Sequence, residues 1–118
     1  MVDIIGKANK EIIVIDNYVD KVTLDILSKK KLNVMVFLIT DKNKSKLTET
    51  DINKFNYEYP TLKVKHTNIF HDRFIIIDNK ELYHLRASLK DLGKKVFAIN
   101  KLNDKYYLKL LADMIECL

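Results

Sequence analysis

Short apolar runs, each bounded by polar residues, constrain the fold of this chain most. Runs of about four to eight residues that are rich in β-branched and aromatic side chains favour buried strands over helices. Between several of these predicted strands lie stretches whose apolar residues recur at helical spacing. This alternation predicts an α/β fold with a mixed, mostly parallel sheet flanked by helices. The predicted strands occupy residues 11–17, 33–40, 62–67, 73–78, 81–87 and 96–100.

Capping residues and apolar spacing place the helices between these strands. Asp20 can cap a helix that buries Val22, Leu24, Ile26 and Leu27. Thr48 and Asp51 fit a capping box for a helix over 48–57. The remaining helical stretches are an N-terminal piece with Ile4, Ile5 and Ala8, a short helix from about Ser88 to Gly93, and a closing helix over 104–117 with Tyr106, Leu110, Leu111 and Met114 inward.

Length and composition suit one domain over residues 1–118. The chain is 47% hydrophobic, and no apolar stretch approaches the roughly 18 residues of a membrane span. Neither a signal-peptide pattern nor a pair of cysteines is present, since Cys117 is the single cysteine, so we expect a cytoplasmic protein without a membrane partner. The chain opens in a helical pattern, as would a domain that lacks an N-terminal strand or a partner domain.

The charge balance is basic, with a formal net charge of +5. This value is compatible with binding to nucleic acid, although a lysine-rich soluble domain reaches it as well. Both arginines of the chain, Arg73 and Arg86, lie close together in sequence among many lysines. Their position is a mild indication that the planar guanidinium group matters there.

Residues 71–78 carry the most informative polar groups of the chain, on an otherwise apolar run. His71 and Arg73 are two positions apart, so on a strand they would point to the same face. An imidazole can attack or carry a proton, and a guanidinium can hold a phosphate with two hydrogen bonds. Phosphodiester cleavage is the chemistry that this pair suggests. Asp78 is an odd number of residues from His71, and we expect it to anchor the strand end and the turn.

The spacing His-x-Arg-x4-Asp of His71, Arg73 and Asp78 resembles the His-x-Lys-x4-Asp signature of the phospholipase D superfamily. The Asp78-Asn79-Lys80 turn and the Ser-containing segment 88–95 resemble the flanks of that signature, and Asp16-Asn17-Tyr18 is a further matching piece. More narrowly, residues 70–102 are similar to a phospholipase D-like domain of bacterial and phage proteins, often found C-terminal to an ORF6N-type domain.

The resemblance implies a phosphodiesterase or nuclease that works through a covalent phosphohistidine and needs neither cofactor nor metal. It makes His71 the nucleophile and gives Arg73 the place of the usual Lys, where it neutralises the phosphate oxygens. The resemblance also places Asp78 among the catalytic motif residues, where we expect it to anchor the strand end without touching substrate. Ser88 corresponds to a serine that donates a hydrogen bond to phosphate, and Arg86 is a further candidate contact to phosphate.

Two positions depart from the family pattern. Arg86-Ala87-Ser88 stands where relatives carry Gly ahead of the Ser, and residues 96–99 contain no acid to hold the nucleophilic His. Asp16 ends the first predicted strand, and strand ends of such a sheet converge on one edge. Asp16 is therefore the candidate for orienting His71.

The family mechanism requires two imidazoles, whereas this chain carries one motif. We therefore expect a homodimer in which two copies of His71 face each other across a two-fold axis. His84 lies within a predicted strand and fits a packed or edge histidine better, and His66 lacks a cationic neighbour at the right spacing.

Three functions remain open from the sequence. The first is a dimeric, metal-independent phosphodiesterase or endonuclease of the phospholipase D type. The second is a catalytically impaired module that keeps the fold and binds nucleic acid. The third is a dimerisation domain of a larger protein. Turnover that depends on His71, salt-sensitive DNA binding without turnover, and a dimer with neither property would distinguish them.

Overall fold

A six-stranded mixed sheet forms the centre of the computed structural model, which describes residues 2–88 and 99–118. Helices cover both faces of the sheet, so the predicted α/β class is confirmed. The strands are β1 (Glu11–Ile15), β2 (Met35–Thr40), β3 (Leu62–His66), β4 (Arg73–Ile77), β5 (Glu81–Leu85) and β6 (Ile99–Leu102). The helices are α1 (Val2–Gly6), α2 (Lys21–Leu27), α3 (Glu49–Glu58) and α4 (Lys105–Glu116).

The strands lie in the order β3-β2-β1-β4-β5-β6. The expected mostly parallel arrangement holds only for β1, β2 and β3, because β4 pairs antiparallel with both of its neighbours and β6 pairs antiparallel with β5. A tight turn of Asp78, Asn79 and Lys80 joins β4 to β5. A connection this short can only form a hairpin, so it enforces the antiparallel pairing.

Alternating side chains of the central strands form two separate cores. Ile12 and Val14 of β1 pack with residues of α1, α2 and α3 on one face. Ile13 and Ile15 pack on the other face, with residues of α4. Because β1 and β4 are covered on both faces, nearly all of their residues are buried, which explains their continuous apolar sequences.

The predicted caps of α2 and α3 are present, and one predicted core residue is wrong. Asp20 and Thr23 form a capping box at α2, as Thr48 and Asp51 do at α3. Val22 is 45% exposed, whereas Thr23 is buried. The helical stripe of α2 is therefore turned by one residue toward Thr23, whose hydroxyl accepts a hydrogen bond from the N–H of Asp20.

The inward face of α4 also differs from the prediction. Leu111 and Met114 pack into the core as expected, but Tyr106 is 80% exposed and Leu110 is 43% exposed. Tyr107, Leu108 and Ile115 take the inward positions instead. A helix with apolar residues on most of its faces leaves its phase ambiguous from sequence.

Several strands end earlier than predicted, which leaves polar residues outside the sheet. The predicted strand 11–17 ends at Ile15, and the predicted strand 81–87 ends at Leu85. The short helix predicted from Ser88 to Gly93 and most of the strand predicted over 96–100 lie outside the described residues. Within the part of the chain that is described, no helix is both long and apolar enough to span a membrane.

Candidate active site

One edge of the sheet collects most of the residues that the sequence singles out. β1, β2, β3 and β5 end at this edge, and β4 and β6 begin there, as the pairings require. We call this the site edge; Asp16, His66, His71, Arg73, Arg86 and Ser88 lie along it. Asp78 lies at the opposite end of β4.

A fully buried carboxylate, that of Asp16, occupies the centre of the site edge. Asp16 follows β1 directly, and the pairing of Ile15 with Phe74 brings it opposite Arg73. The Ser88 hydroxyl lies 2.9 and 2.7 Å from the two carboxylate oxygens. The backbone N–H of Tyr18 donates to Oδ1 at 2.9 Å. A charged group that is out of contact with water needs such donors, so this cluster links β1 to the segment after β5.

Ser88 is buried and engaged within the protein. Besides the Asp16 carboxylate, its hydroxyl lies 2.6 Å from the carbonyl oxygen of Tyr18. A hydroxyl has one proton to donate, and three acceptor atoms surround it here. We expected Ser88 to donate a hydrogen bond to phosphate, but its hydroxyl already bonds to the loop after β1. This placement favours a role in positioning other residues.

Arg73 begins β4 and lies against the same carboxylate. Its Nε is 3.7 Å from Oδ1 of Asp16, and its guanidinium carbon is 5.6 Å from the centre of the Tyr18 ring. Nε is buried and forms no hydrogen bond with any described residue. The guanidinium is therefore held between a carboxylate and an aromatic ring, with the side chain partly open to solvent.

His71 is exposed and lies two residues before β4 rather than on it. His71 therefore does not lie on the strand with Arg73, because the chain bends at Asp72. The residue before His71 is nevertheless held in place. Asn17 donates its side-chain N–H to the carbonyl of Phe70 at 2.9 Å, and Phe70 is buried. Asp72 lies 3.8 Å from Nε2 of His84.

The other two histidines and Arg86 lie around this centre. His84 packs against Phe74, with 5.3 Å between the ring centres, in agreement with the packed position expected for it. His66 is exposed at the end of β3, two strands away from β1. Arg86 is exposed after β5, and its Nη2 lies 3.2 Å from the side-chain oxygen of Asn100 when that amide is oriented to satisfy its neighbours.

Asp78 anchors the far end of β4, as expected. Its carboxylate accepts backbone N–H groups from Asn9, Lys10 and Glu11 at distances from 2.7 to 3.2 Å. Burial alone would raise the pKa of Asp78, but these backbone donors outweigh it and hold the pKa below its ordinary value. Asp78 thus ties the β4–β5 turn to the start of β1, and it lies away from His71.

Sequence reasoning gave no role to Tyr18, whose ring lies beside Arg73, or to Lys44, which lies beside that ring. Tyr18 is 42% exposed, and the ammonium group of Lys44 lies 5.5 Å from its ring centre. The polar residues that directly follow the first apolar run were a usable signal for Tyr18, because ligands bind at such strand ends. Nothing in the lysine-rich stretch 42–46 distinguished Lys44 from a solvated residue. Across the described ranges, no group of three or more His, Cys, Asp or Glu side chains comes together as metal ligands would.

Comparison with solved structures identifies the fold. No protein-family model and no curated protein matches the sequence. Among solved structures, Nuc from Salmonella typhimurium, a phospholipase D family member, is 18% identical, with a TM-score of 0.63 over 96% of this chain and 80% of that chain. The chain has a phospholipase D-like fold.

Two further structures share this fold. NucT from Helicobacter pylori is 13% identical, with a TM-score of 0.66 over 98% of this chain and 82% of that chain. TrmBL2, an archaeal chromatin protein whose structure shows a novel mode of DNA binding, is 18% identical, with a TM-score of 0.62 over 98% of this chain. The phospholipase D-like chain spans 45% of the chromatin protein's length.

Proposed function

We propose that the chain is a phosphodiesterase or nuclease of the phospholipase D type that works as a homodimer, in which His71 of one protomer attacks phosphorus and His71 of its partner is the general acid. One observation carries the proposal: an exposed imidazole lies two residues from a guanidinium at the site edge, directly after the buried Phe70, whose carbonyl accepts a hydrogen bond from Asn17. A fixed backbone with a free ring is what a nucleophile needs in order to meet a substrate in one orientation.

In the first step, a ring nitrogen of His71 attacks the phosphorus of a phosphodiester. A bond between nitrogen and phosphorus forms, and the bond between phosphorus and the leaving oxygen breaks. The imidazolium of the partner's His71 gives its proton to that oxygen, so an alcohol leaves. The product is a covalent phosphohistidine on one protomer and a neutral imidazole on the other.

In the second step, water cleaves this intermediate. The neutral imidazole of the partner's His71 removes a proton from the attacking water, and a bond between oxygen and phosphorus replaces the bond to nitrogen. His71 leaves as a free imidazole, and a phosphomonoester departs. The partner's His71 again holds a proton, in place of the one it gave up in the first step, so both histidines are back in their starting states.

Arg73 supplies positive charge beside the reacting group. The phosphate oxygens gain negative charge as phosphorus becomes five-coordinate, and a guanidinium that is already in position stabilises that charge without reorganising. The Asp16 carboxylate lies 3.7 Å from Nε of the guanidinium, and we expect the terminal nitrogens to contact the phosphate. Ser88 and Asp16 are thus positioning residues, and Asp16 remains the candidate for orienting His71.

The test is hydrolysis of bis(p-nitrophenyl) phosphate and of oligonucleotides in EDTA, with the wild type beside His71→Ala. The proposal expects turnover by the wild type and none by the variant. His66→Ala is the matched control, because it removes an exposed imidazole outside the motif. Light scattering should give twice the mass of the chain. A monomer that turns over, or a His71→Ala variant that retains activity, would refute the proposal.

A second function, nucleic-acid binding without hydrolysis, has its own supporting observation. The Arg73 guanidinium faces the buried Asp16 carboxylate at 3.7 Å, so part of its charge is compensated before any substrate arrives. That arrangement lowers its power to stabilise a transition state while leaving the site edge cationic and able to hold phosphate. Salt-dependent binding of DNA by a wild-type protein that shows no turnover would favour this function.

A further inference from the structure

We propose that Tyr18, with Lys44 beside it, forms a stacking platform for one unpaired base, which makes single-stranded nucleic acid the ligand of the site edge. This inference rests on the proposed phosphodiester function and deepens it by naming the substrate class. Tyr18, Lys44 and Arg73 are together called the platform.

The platform joins an exposed aromatic ring to two cations. The Tyr18 ring lies 5.5 Å from the Lys44 ammonium and 5.6 Å from the Arg73 guanidinium carbon. Aromatic rings stack bases of any sequence, and cations beside them hold the phosphates that connect those bases. The Tyr18 ring thus has both of the components that binding of a single strand uses, an aromatic face and neighbouring positive charge.

The backbone of Tyr18 is fixed from both sides. Its N–H donates to the Asp16 carboxylate at 2.9 Å, and its carbonyl oxygen lies 2.6 Å from the Ser88 hydroxyl. Both partners are buried. An aromatic side chain on a fixed backbone loses little freedom when a ligand binds, so the affinity that stacking provides is retained.

The loop that carries Lys44 is ordered as well. The buried Asp41 accepts the N–H of Asn43 on its carboxylate at 2.8 Å, and its carbonyl accepts the N–H of Lys44 at 3.2 Å and that of Ser45 at 2.9 Å. The N–H of Lys46 donates to the carbonyl of Val19 at 2.9 Å, which ties this loop to the segment after Tyr18. Lys44 is thus held next to the ring by backbone contacts, while its own ammonium group is exposed.

An unpaired base suits this platform better than a duplex does. The contact of an exposed ammonium with a ring is weak, so an incoming base can displace Lys44, whose charge then meets the neighbouring phosphate. The bases of a duplex are already stacked and paired, and extracting one has a cost that a single strand avoids. The site edge should therefore discriminate by strand state and tolerate any sequence.

The chain offers matched controls for the ring. Tyr57 is 91% exposed, and Tyr106 is also highly exposed. Within residues 2–88 and 99–118, neither of these rings has a cation over it, whereas Tyr18 has two. An exposed tyrosine alone is therefore not sufficient for the proposed role.

The test is fluorescence anisotropy with a labelled oligothymidylate and with a labelled duplex of equal length, in EDTA. All variants carry His71→Ala, so that binding is measured without turnover. We expect Tyr18→Ala to weaken single-strand binding by about tenfold or more, and Tyr18→Phe to bind within about twofold of the parent. Lys44→Gln should weaken binding by about threefold and lower its salt dependence. Tyr57→Ala should change nothing.

Three outcomes would overturn the platform: equal affinity for duplex and single strand in the parent, unchanged binding by Tyr18→Ala, or a loss by Tyr57→Ala as large as that by Tyr18→Ala. Tyr18→Leu separates stacking from folding, because it keeps apolar volume without a π system; it should bind like Tyr18→Ala while melting like the parent. Hydrolysis is measured separately in the chain with His71 intact. Single-strand binding without hydrolysis would refute only the enzyme, and hydrolysis without a strand preference would refute only the platform.

Discussion

The two ends of strand β4 differ in how their polar groups are satisfied. At the far end, the Asp78 carboxylate accepts three backbone N–H groups and locks the hairpin turn to the start of β1. At the site edge, His71 is exposed, and the Arg73 side chain is partly open to solvent. One sequence motif thus contains a structural half and a half whose groups are available to a ligand.

This difference separates stability from function along a single strand. A carboxylate that accepts several backbone hydrogen bonds stabilises the folded state, and those bonds occupy the oxygens that a substrate would need. An exposed imidazole contributes little to stability, and it is available for contact with a ligand or substrate. The comparison predicts that substitutions at the two ends will have opposite effects on stability and on turnover.

The largest expected effect is the loss of turnover in His71→Ala. We expect kcat/KM in EDTA to fall by at least about a thousandfold, since removal of a nucleophile leaves only binding and charge stabilisation. The free energy of unfolding should change by less than about 0.5 kcal/mol, because the side chain is exposed. Urea unfolding followed by circular dichroism measures the second quantity. A large loss of stability would contradict the separation.

Asp78→Ala should have the opposite profile. The substitution removes the acceptor of three backbone N–H groups and places Ala at a φ of 52°, so we expect a loss of about 3 kcal/mol. Turnover per folded molecule should be retained. Asn79→Ala is the matched control, because Asn79 has a φ of 56° and isolates the backbone cost, about 1 kcal/mol. Equal losses in the two variants would show that the carboxylate contributes nothing.

Ser88→Ala tests the buried cluster at the site edge. Removing the hydroxyl leaves Asp16 buried with one donor fewer, and we expect a loss of about 2 kcal/mol in unfolding free energy. If Ser88 is a positioning residue, kcat should fall while KM for small phosphodiesters stays nearly constant. A selective rise in KM at unchanged stability would instead make Ser88 a direct phosphate ligand.

The decrease in unfolding free energy at acid pH tests whether Asp78 anchors the turn. The pKa of Asp78 is lower in the folded chain than its ordinary value of 3.8, so its contribution to stability is fully present above that value. The contribution is lost as pH falls through the folded-state pKa. Asp78→Asn keeps an oxygen acceptor without the charge, and its stability should therefore fall less steeply below about pH 4. Parallel acid limbs in the two proteins would contradict the assignment.

The smallest effect concerns the two ion pairs that Glu81 forms with lysine side chains. Glu81 lies 3.1 Å from the Lys7 ammonium and 2.7 Å from that of Lys101. These lysines hold the pKa of Glu81 below its ordinary value, with Lys101 the larger cause. Because the group is partly exposed, Glu81→Gln should lower stability by only about 0.5 kcal/mol. The difference should shrink in 1 M salt, and a salt-independent loss would point to packing instead.

Sequence reasoning recovered the elements better than their orientation. Strands with continuous apolar runs, such as Arg73–Ile77, and helices with capping boxes were found because those signals are local. The share of antiparallel pairing was underestimated, since strand order depends on contacts between distant segments. The faces of α2 and α4 were misjudged at Val22, Tyr106 and Leu110, where several phases bury similar apolar area.

The sequence predicts the positions of those site residues that directly follow a buried strand. Asp16 was expected at the site edge because it follows a buried strand, and its neighbourhood with Arg73 follows from the pairing of Ile15 with Phe74. The contact between Ser88 and Asp16 joins residues 72 positions apart, so no local pattern could reveal it. The bend that takes His71 off the strand was hidden as well, because Asp72 pairs with His84 only once β4 and β5 are assembled.

The most direct test of the central claim is a search for the covalent intermediate on His71. Wild-type protein mixed with bis(p-nitrophenyl) phosphate in EDTA is quenched at alkaline pH, which preserves a bond between nitrogen and phosphorus, and analysed by intact and peptide mass spectrometry. We expect a p-nitrophenylphosphoryl group on His71 and none in His71→Ala. Turnover without an adduct on His71, or an adduct on His66 or His84, would contradict it.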